Sequence, residues 1–297
     1  VPVIAAALDE GRASHDQLRR ARLLLLSAAV LWSLAGVFIK FLPLPPLTIV
    51  FYRSLFAGIF FVLFAQRSAS LPRAALLVAM ASYTAAISSF VAANKLTTAA
   101  NAIVLQYTAP IFVFLIVSFF FRERIAGATW AALGLGMTGI AVIFAGSAGQ
   151  PDFAGVAVAL LSGLLFSIYM VSLRLLKSVP AGSLTCVNNL ACCLLLLPFV
   201  TGQLTLTRAE CLILAVMGVV QLGIPYWLFS RAVEKIPVHE ASLIVLIEPV
   251  LNPLWVALAV GEVPSAATFI GGALIVAGLA ARYGWAASPG NRNLSRV

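Results

Sequence analysis

"LIEPVLNPLWVALAVGE", residues 246–262, is apolar almost throughout, yet it carries one acid, Glu248, and two prolines, Pro249 and Pro253. An earlier stretch, "TAPIFVFLIVSFFFRER" at 108–124, echoes it. A shift of 139 positions lays Pro110 on Pro249 and Glu123 on Glu262. The same shift matches Ala102 with Ala241, Thr129 with Thr268, Leu135 with Leu274 and Gly139 with Gly278. Upstream, "LWSLAGVFIKFL" (31–42) resembles "LFSIYMVSLRLL" (165–176) at a shift of 134. The matches keep their order along the chain, so the sequence reads as two copies of one unit.

Each copy is written for a bilayer. Of the 297 residues 62% are hydrophobic and 10% charged, against about 25% charged in ordinary soluble domains. Apolar runs of about 20 residues, the length that crosses a hydrocarbon core of ~30 Å as a helix, recur along the chain. Ten spans are expected, at 22–41, 46–65, 74–94, 97–121, 126–146, 153–173, 181–201, 209–230, 238–260 and 264–283. The first lacks a small-residue cleavage site and reads as a retained helix, not a signal peptide.

The net charge of +9 is distributed by side. With the N-terminus placed in the cytoplasm, fifteen Lys and Arg fall on the cytoplasmic side. Lys40, Lys95 and Arg208 fall outside, and Arg53 within a span, which accounts for all 19. That asymmetry follows the positive-inside rule. The basic balance therefore reports topology, and no nucleic-acid partner is expected.

The expected fold is an all-α membrane protein. Its ten transmembrane helices form two inverted-topology five-helix repeats, 22–146 and 153–284, with cytoplasmic tails at 1–21 and 285–297. An odd number of spans per copy sends the second copy in from the opposite side, an arrangement typical of transporters with a binding site near mid-membrane. Cys186, Cys192, Cys193 and Cys211 show no metal or redox spacing and read as small buried residues. No metal and no cofactor is expected.

The quoted residues carry a family resemblance. Over about residues 22–284 the chain resembles the drug/metabolite transporter superfamily, of the EamA-domain type, on "YTAPIFVFLIVSFFFRER" (107–124) and "LIEPVLNPLWVALAVGE". It departs in having Arg122 before the closing acid of the first copy, where the second has Gly261. The resemblance implies a multi-pass protein of a bacterial inner membrane that exports amino acids and related metabolites. Within the family it is most similar to the exporters of aromatic amino acids.

A helix rises about 1.5 Å per residue, so residues some ten positions into a span lie near the midplane. By this count the expected substrate-binding residues are Trp32, Tyr83, Gln106, Tyr107, Phe166, Asn189, Gln221, Glu248 and Asn252, with Asn188 beside them and Asn101 nearer the outer end. Aromatic faces with uncharged hydrogen-bonding groups suit a cargo with an apolar body and a small polar head. Each also has a packing reading. Large aromatics fill bundles, and amides join helices by hydrogen bonds worth roughly 0.6–2 kcal/mol. "GLGMTG" (134–139) and "IGGALIVAG" (270–278) are expected to allow close helix packing, within a half or between subunits.

Charge is rarer at this depth, at a cost of about 2.5–3.5 kcal/mol on insertion scales. Glu248 is the one deep acid. It could hold a substrate ammonium, carry a coupled proton, or hydrogen-bond a neighbour such as Gln106 or Tyr107. Pro249 frees carbonyls near residues 245–246 that would add to a cation site. Arg53 could pair with a substrate carboxylate or snorkel to the outer interface, and its shallow depth favours the latter.

No GxxxxGK[ST] occurs, so a proton gradient or the cargo's own gradient is expected to drive transport. His15 in the tail and His239 at a span end form no catalytic set, which argues against an intramembrane enzyme. A channel, or a carrier of drugs or nucleobases, remains an alternative; a nucleotide sugar would want more than one deep cation. The expected partners are a small-molecule substrate, an amino acid, and the lipid bilayer, and the expected state is a monomer or weak homodimer.

Overall fold

The computed structural model describes residues 2–66, 72–120, 127–233, 235–236 and 238–286. Arg67, Arg122, Glu123, Arg124, Glu234 and residues 287–297 lie outside the described residues, as do the side chains of residues 2–16, Thr129 and His239.

The described chain is helical almost throughout. In the first copy, α1 (Pro2–Ser33) and α2 (Ala35–Phe41) share one apolar segment, followed by α3 (Pro46–Val62) and α4 (Arg73–Leu96). α5 (Ala99–Gln106) and α6 (Ala109–Phe120) share the next segment, and α7 (Gly127–Ser147) closes the copy. The second copy runs α8 (Phe153–Leu173), α9 (Ala181–Val200), α10 (Arg208–Val216) and α11 (Ile224–Val233), then α12 (Val238–Val245), α13 (Glu248–Val260) and α14 (Ala266–Ala286). The stretch expected as an N-terminal tail is the first part of α1, since its Ala, Leu and Arg residues are good helix formers with no proline after Pro2.

Among the described residues eight segments are long and apolar enough to cross a membrane, and Pro46–Val62 and Ala266–Arg282 are shorter apolar helices. Phe119, Leu194 and Leu258 stand 79%, 72% and 73% exposed on the outside of the bundle. Apolar surface on that scale is a liability in water and suits lipid. The protein is an all-helical membrane protein.

The helices pack by a rule that survives exchange of the halves. α4 lies along α8, and its counterpart segment α10–α11 meets α1 through α11. α3 pairs with α9 and α7 with α14, each a helix against its own repeat-mate. The glycine runs serve that last pair. A Cβ on Gly139 would come within 2.5 Å of the Gly271 carbonyl oxygen, and one on Gly278 within 3.1 Å of the Ala132 oxygen. These contacts join the two halves of one chain, while Gly136 makes room for Ile111 within its own half.

Two breaks position the interior. α5 gives way to α6 at Tyr107–Thr108, and α12 to α13 at Leu246–Ile247, positions related by the same shift of 139. Pro110 and Pro249 cause them: each lacks the N–H that would bond the carbonyl four residues back. Pro249 sits in the first turn of α13, where a missing N–H costs nothing. Gly261 ends α13 with φ 72°, the left-handed cap that glycine takes without strain. Beyond α10 the chain widens into a π-helical stretch, Met217–Gly223, whose Gly218 would bring a Cβ to 2.6 Å from the Arg53 carbonyl oxygen. At Leu34, between α1 and α2, Ser33 Oγ turns back to Val30 O at 2.7 Å, a bond that bends helices.

Candidate functional site

The breaks and the π stretch surround a cavity of about 410 Å³ between the two halves. That volume falls in the range of small-molecule sites. It is lined by Trp32, Tyr83, Gln106, Tyr107, Phe166, Gln221 and Glu248 from the expected set, and by Arg53, Phe90, Met170, Tyr226, Phe229 and Ser242 besides.

Its walls carry two aromatic groups. On one side Trp32 meets Tyr226 edge-on at 5.1 Å and Phe229 at 5.5 Å. On the other Phe166 and Tyr83 flank Tyr169, at 5.7 and 5.2 Å. Trp32 and Phe166 are the residues related by the shift of 134, so the groups are the two copies' versions of one wall. Gln221 does not point its amide nitrogen at a ligand; Nε2 donates to the Trp32 carbonyl at 3.1 Å and holds the end of α1.

Glu248 begins α13 beneath the break. The Tyr107 hydroxyl lies 2.7 Å from Glu248 Oε2 and 3.1 Å from Val245 O, the carbonyl that Pro249 leaves without its helical partner. A phenol has one proton to give. Both contacts are hydrogen bonds at once only when Glu248 is a carboxylic acid donating to Tyr107 while Tyr107 donates to Val245. When Glu248 is ionised, Tyr107 turns to it and the Val245 carbonyl is released. The acid, the phenol and the carbonyl form a unit with two hydrogen-bonded states.

Three expected residues lie outside the cavity lining. Asn189 stands behind it, accepting the Tyr83 hydroxyl at 3.1 Å and donating to Thr185 O at 2.8 Å. Asn252 is fully buried against α2, where a Cβ on Gly36 would touch its Oδ1 at 2.7 Å. Asn101 donates to Thr97 Oγ1 at 2.9 Å and accepts from Thr268 Oγ1 at 2.7 Å. Asn188, also behind the lining, donates to the Tyr169 hydroxyl at 3.1 Å.

Asn101 belongs to a polar cluster that ties one end of the bundle. There Lys40 Nζ meets Glu262 at 2.6 Å and Thr97 O at 2.9 Å. The other Glu262 oxygen accepts the Ala99 N–H at 2.6 Å, a carboxylate set on the N-terminus of α5 where the helix dipole favours it. Thr97 Oγ1 donates to Asp152 at 2.7 Å. The cavity extends the other way, past Phe229 and the exposed rim residue Met170. That end carries the Arg22–Glu240 ion pair.

Arg53 does not snorkel. It is 3% exposed and lines the cavity, and its Nε and Nη1 have no hydrogen-bond partner. Counting from the start of α3 placed it too near the surface, because the chain after α9 covers that end, where Thr48 donates to Gln203 at 3.1 Å and Tyr52 to Leu204 O at 2.7 Å. Tyr226 and Phe229 were missed for another reason: the wider turn of the π stretch shifts the helical phase after Gln221, and Gly218, Gly223 and Pro225 were the available signal. Cys186, Cys192 and Cys193 are buried as expected, while Cys211 is exposed. Among the described residues no cluster of His, Cys, Asp or Glu could hold a metal.

A cavity between two halves, roofed by helices broken at matching prolines, is how many secondary transporters are built, and known proteins agree. An uncharacterised transporter of Archaeoglobus fulgidus is 29% identical over 261 residues, covering 85% of this chain and 92% of that protein. The uncharacterised transporter YdfC of Bacillus subtilis is 26% identical over 191 residues, 61% of either chain. A solved crystal structure shares the fold with a TM-score of 0.64 at 22% identity, covering 93% of this chain and 98% of that one. Residues 19–145 and 153–282 each match the EamA-like transporter family, one match per copy, and the chain belongs to that family.

Proposed function

We propose that the protein exports neutral and aromatic amino acids from the bacterial cytoplasm by alternating access, with ten membrane crossings and both termini inside. The observation that supports this best is the cavity itself, two aromatic walls with one cation and one acid between them. An amino acid matches it group for group. Pro46–Val62, at 17 residues, meets the lower limit for a crossing helix, about 17 residues. The charge count puts the Lys40–Glu262 end outside, so the cavity reaches toward the cytoplasm and the outer exit is tied shut. Outward release then requires Glu262 to leave Lys40 and Ala99. A channel needs no such closure, and its flux would not saturate.

Glu248 takes either the ammonium of the cargo or a proton. The two hydrogen-bonded states at Tyr107 give each occupant a defined partner set.

Counterflow in proteoliposomes with a panel of amino acids tests the function. Saturable exchange of phenylalanine and other neutral amino acids is the expected result, and flux that rises without limit would favour the channel. Trp32→Ala should raise the half-saturation concentration for aromatic cargo by about tenfold, since a stacked ring contributes on the order of 1 kcal/mol beyond its buried area. Unchanged kinetics would remove Trp32 from the site. For topology, single cysteines at Ala148 and Gly290, with Cys211 replaced, should be labelled from opposite faces of the membrane; labelling of both from one face rejects the ten-crossing arrangement.

A further inference from the structure

We infer that Arg53 is the receptor for a carboxylate on the cargo, so that the transported molecules are carboxylate-bearing compounds with an aromatic or aliphatic body. The inference rests on the amino-acid reading above and adds the residue and the chemical group that decide admission.

Arg53 is buried in α3, faces the cavity, and leaves Nε and Nη1 without hydrogen-bond partners. Among the described residues no carboxylate lies within ion-pair distance of it, the two ion pairs being Arg22–Glu240 and Lys40–Glu262. The cavity's own acid, Glu248, is engaged by Tyr107. The phenols of Tyr83 and Tyr226 and the thiol of Cys192 lie within electrostatic reach of the guanidinium, and Tyr226 also within reach of Glu248.

A buried lysine in this position could shed its proton and become neutral, but a guanidinium cannot. If Arg53 joined helices, its donors would be satisfied by carbonyls or an acid, as those of Lys40 and Lys95 are. Donors without a protein partner, on a permanent cation that faces a cavity, make it a receptor for an anion that comes and goes. The planar fork fits a carboxylate through two parallel N–H bonds. The π stretch packs closely on this part of α3, where a Cβ on Gly218 would fall 2.6 Å from the Arg53 carbonyl oxygen.

Orientation and selectivity follow. The carboxylate lies on Arg53, the ring or alkyl body between the Trp32 and Phe166 walls, and an ammonium, where there is one, turns to Glu248. An amine lacking the carboxylate would bring a second positive charge beside Arg53. A diphosphate would need more than one cation.

The experiment measures binding of L-phenylalanine, 3-phenylpropionate and 2-phenylethylamine to the purified full chain, by calorimetry, for wild type and Arg53→Lys. The lysine variant keeps the charge and lacks the fork, and its thermal unfolding is compared with wild type to show that it is folded. Wild type should bind L-phenylalanine roughly tenfold to hundredfold more tightly than the amine, which differs from it by the carboxylate, the usual strength of a charge-assisted hydrogen bond. Arg53→Lys should lose about tenfold for both carboxylates and leave the amine unchanged, a pattern that general loosening of the site would not give. Binding of the amine as tight as that of phenylalanine, or wild-type phenylalanine binding by Arg53→Lys, overturns the role of Arg53 alone. Failure of wild type to bind any of the three overturns the amino-acid reading and this inference with it.

Discussion

Glu248→Gln is expected to abolish gradient-driven accumulation of amino acids in proteoliposomes while the protein inserts and purifies normally. Glutamine keeps the local bonds: its amide nitrogen donates to the Tyr107 oxygen, and Tyr107 donates to Val245 O. It thus reproduces the protonated state and cannot leave it. Without an ionised form there is no charge to hold the cargo's ammonium and no proton to exchange. Affinity for phenylalanine should fall by roughly tenfold to hundredfold, the effect of losing one charge-assisted hydrogen bond. Binding of 3-phenylpropionate, which has no ammonium, should stay within about twofold, well under the effect of one such bond. Flux measured against an imposed pH gradient, with affinity measured beside it, checks both roles. Wild-type accumulation together with wild-type affinity would leave Glu248 as a packing residue.

The second large effect lies far from the cavity. Gly139→Leu should lower the thermal midpoint in detergent by on the order of 10 °C, as an overpacking cost of about 3 kcal/mol implies for a chain of this size. The reason is that the obstacles are main chain. A Cβ on Gly139 meets the Gly271 oxygen at 2.5 Å and the Ile275 nitrogen at 3.3 Å. Neither can move without prying α7 from α14. Gly134→Leu is the control on the same helix, because nothing lies within 4 Å of a Cβ there. Equal melting of the two variants would show that the contact between the halves tolerates separation.

Much of this architecture was legible because it is encoded locally. Proline positions mark where a helical ladder must open: Pro249 pointed to freed carbonyls near residues 245–246, and Pro110, its match at a shift of 139, stands at the corresponding break that was not read from the sequence. Depth, too, is a count along one helix. It brought Trp32, Tyr83, Gln106, Tyr107, Phe166, Gln221 and Glu248 to the cavity, where all seven are found. What a count cannot supply is the direction a side chain takes around its helix. Asn189 and Asn252 are at the expected depth and face other helices. Direction also depends on the turn geometry upstream, and the π stretch altered it for Tyr226 and Phe229. The state of Arg53 was the least legible. Nothing in its own segment says what will surround it: the phenol of Tyr83 from its own half and that of Tyr226 from the other, with no carboxylate at ion-pair distance among the described residues.

A fixed positive charge inside a moving cavity also feels the membrane voltage. One elementary charge carried through the full field is worth about 2.3 kcal/mol per 100 mV, and in the proposed alternating-access cycle Arg53 would traverse some fraction of it. With Glu248 protonated and no cargo, the site carries one positive charge, and an interior-negative potential holds it facing inward, where cargo is collected. A zwitterionic cargo whose ammonium displaces the Glu248 proton to the cytoplasm leaves two pairs, carboxylate on Arg53 and ammonium on Glu248, with no net charge. The loaded form turns outward with no electrical opposition, and Glu248 takes up a proton again on release. After release the restored charge is drawn back in. Arg53 thus gives the cycle a direction, and export should carry a current whose size follows the potential.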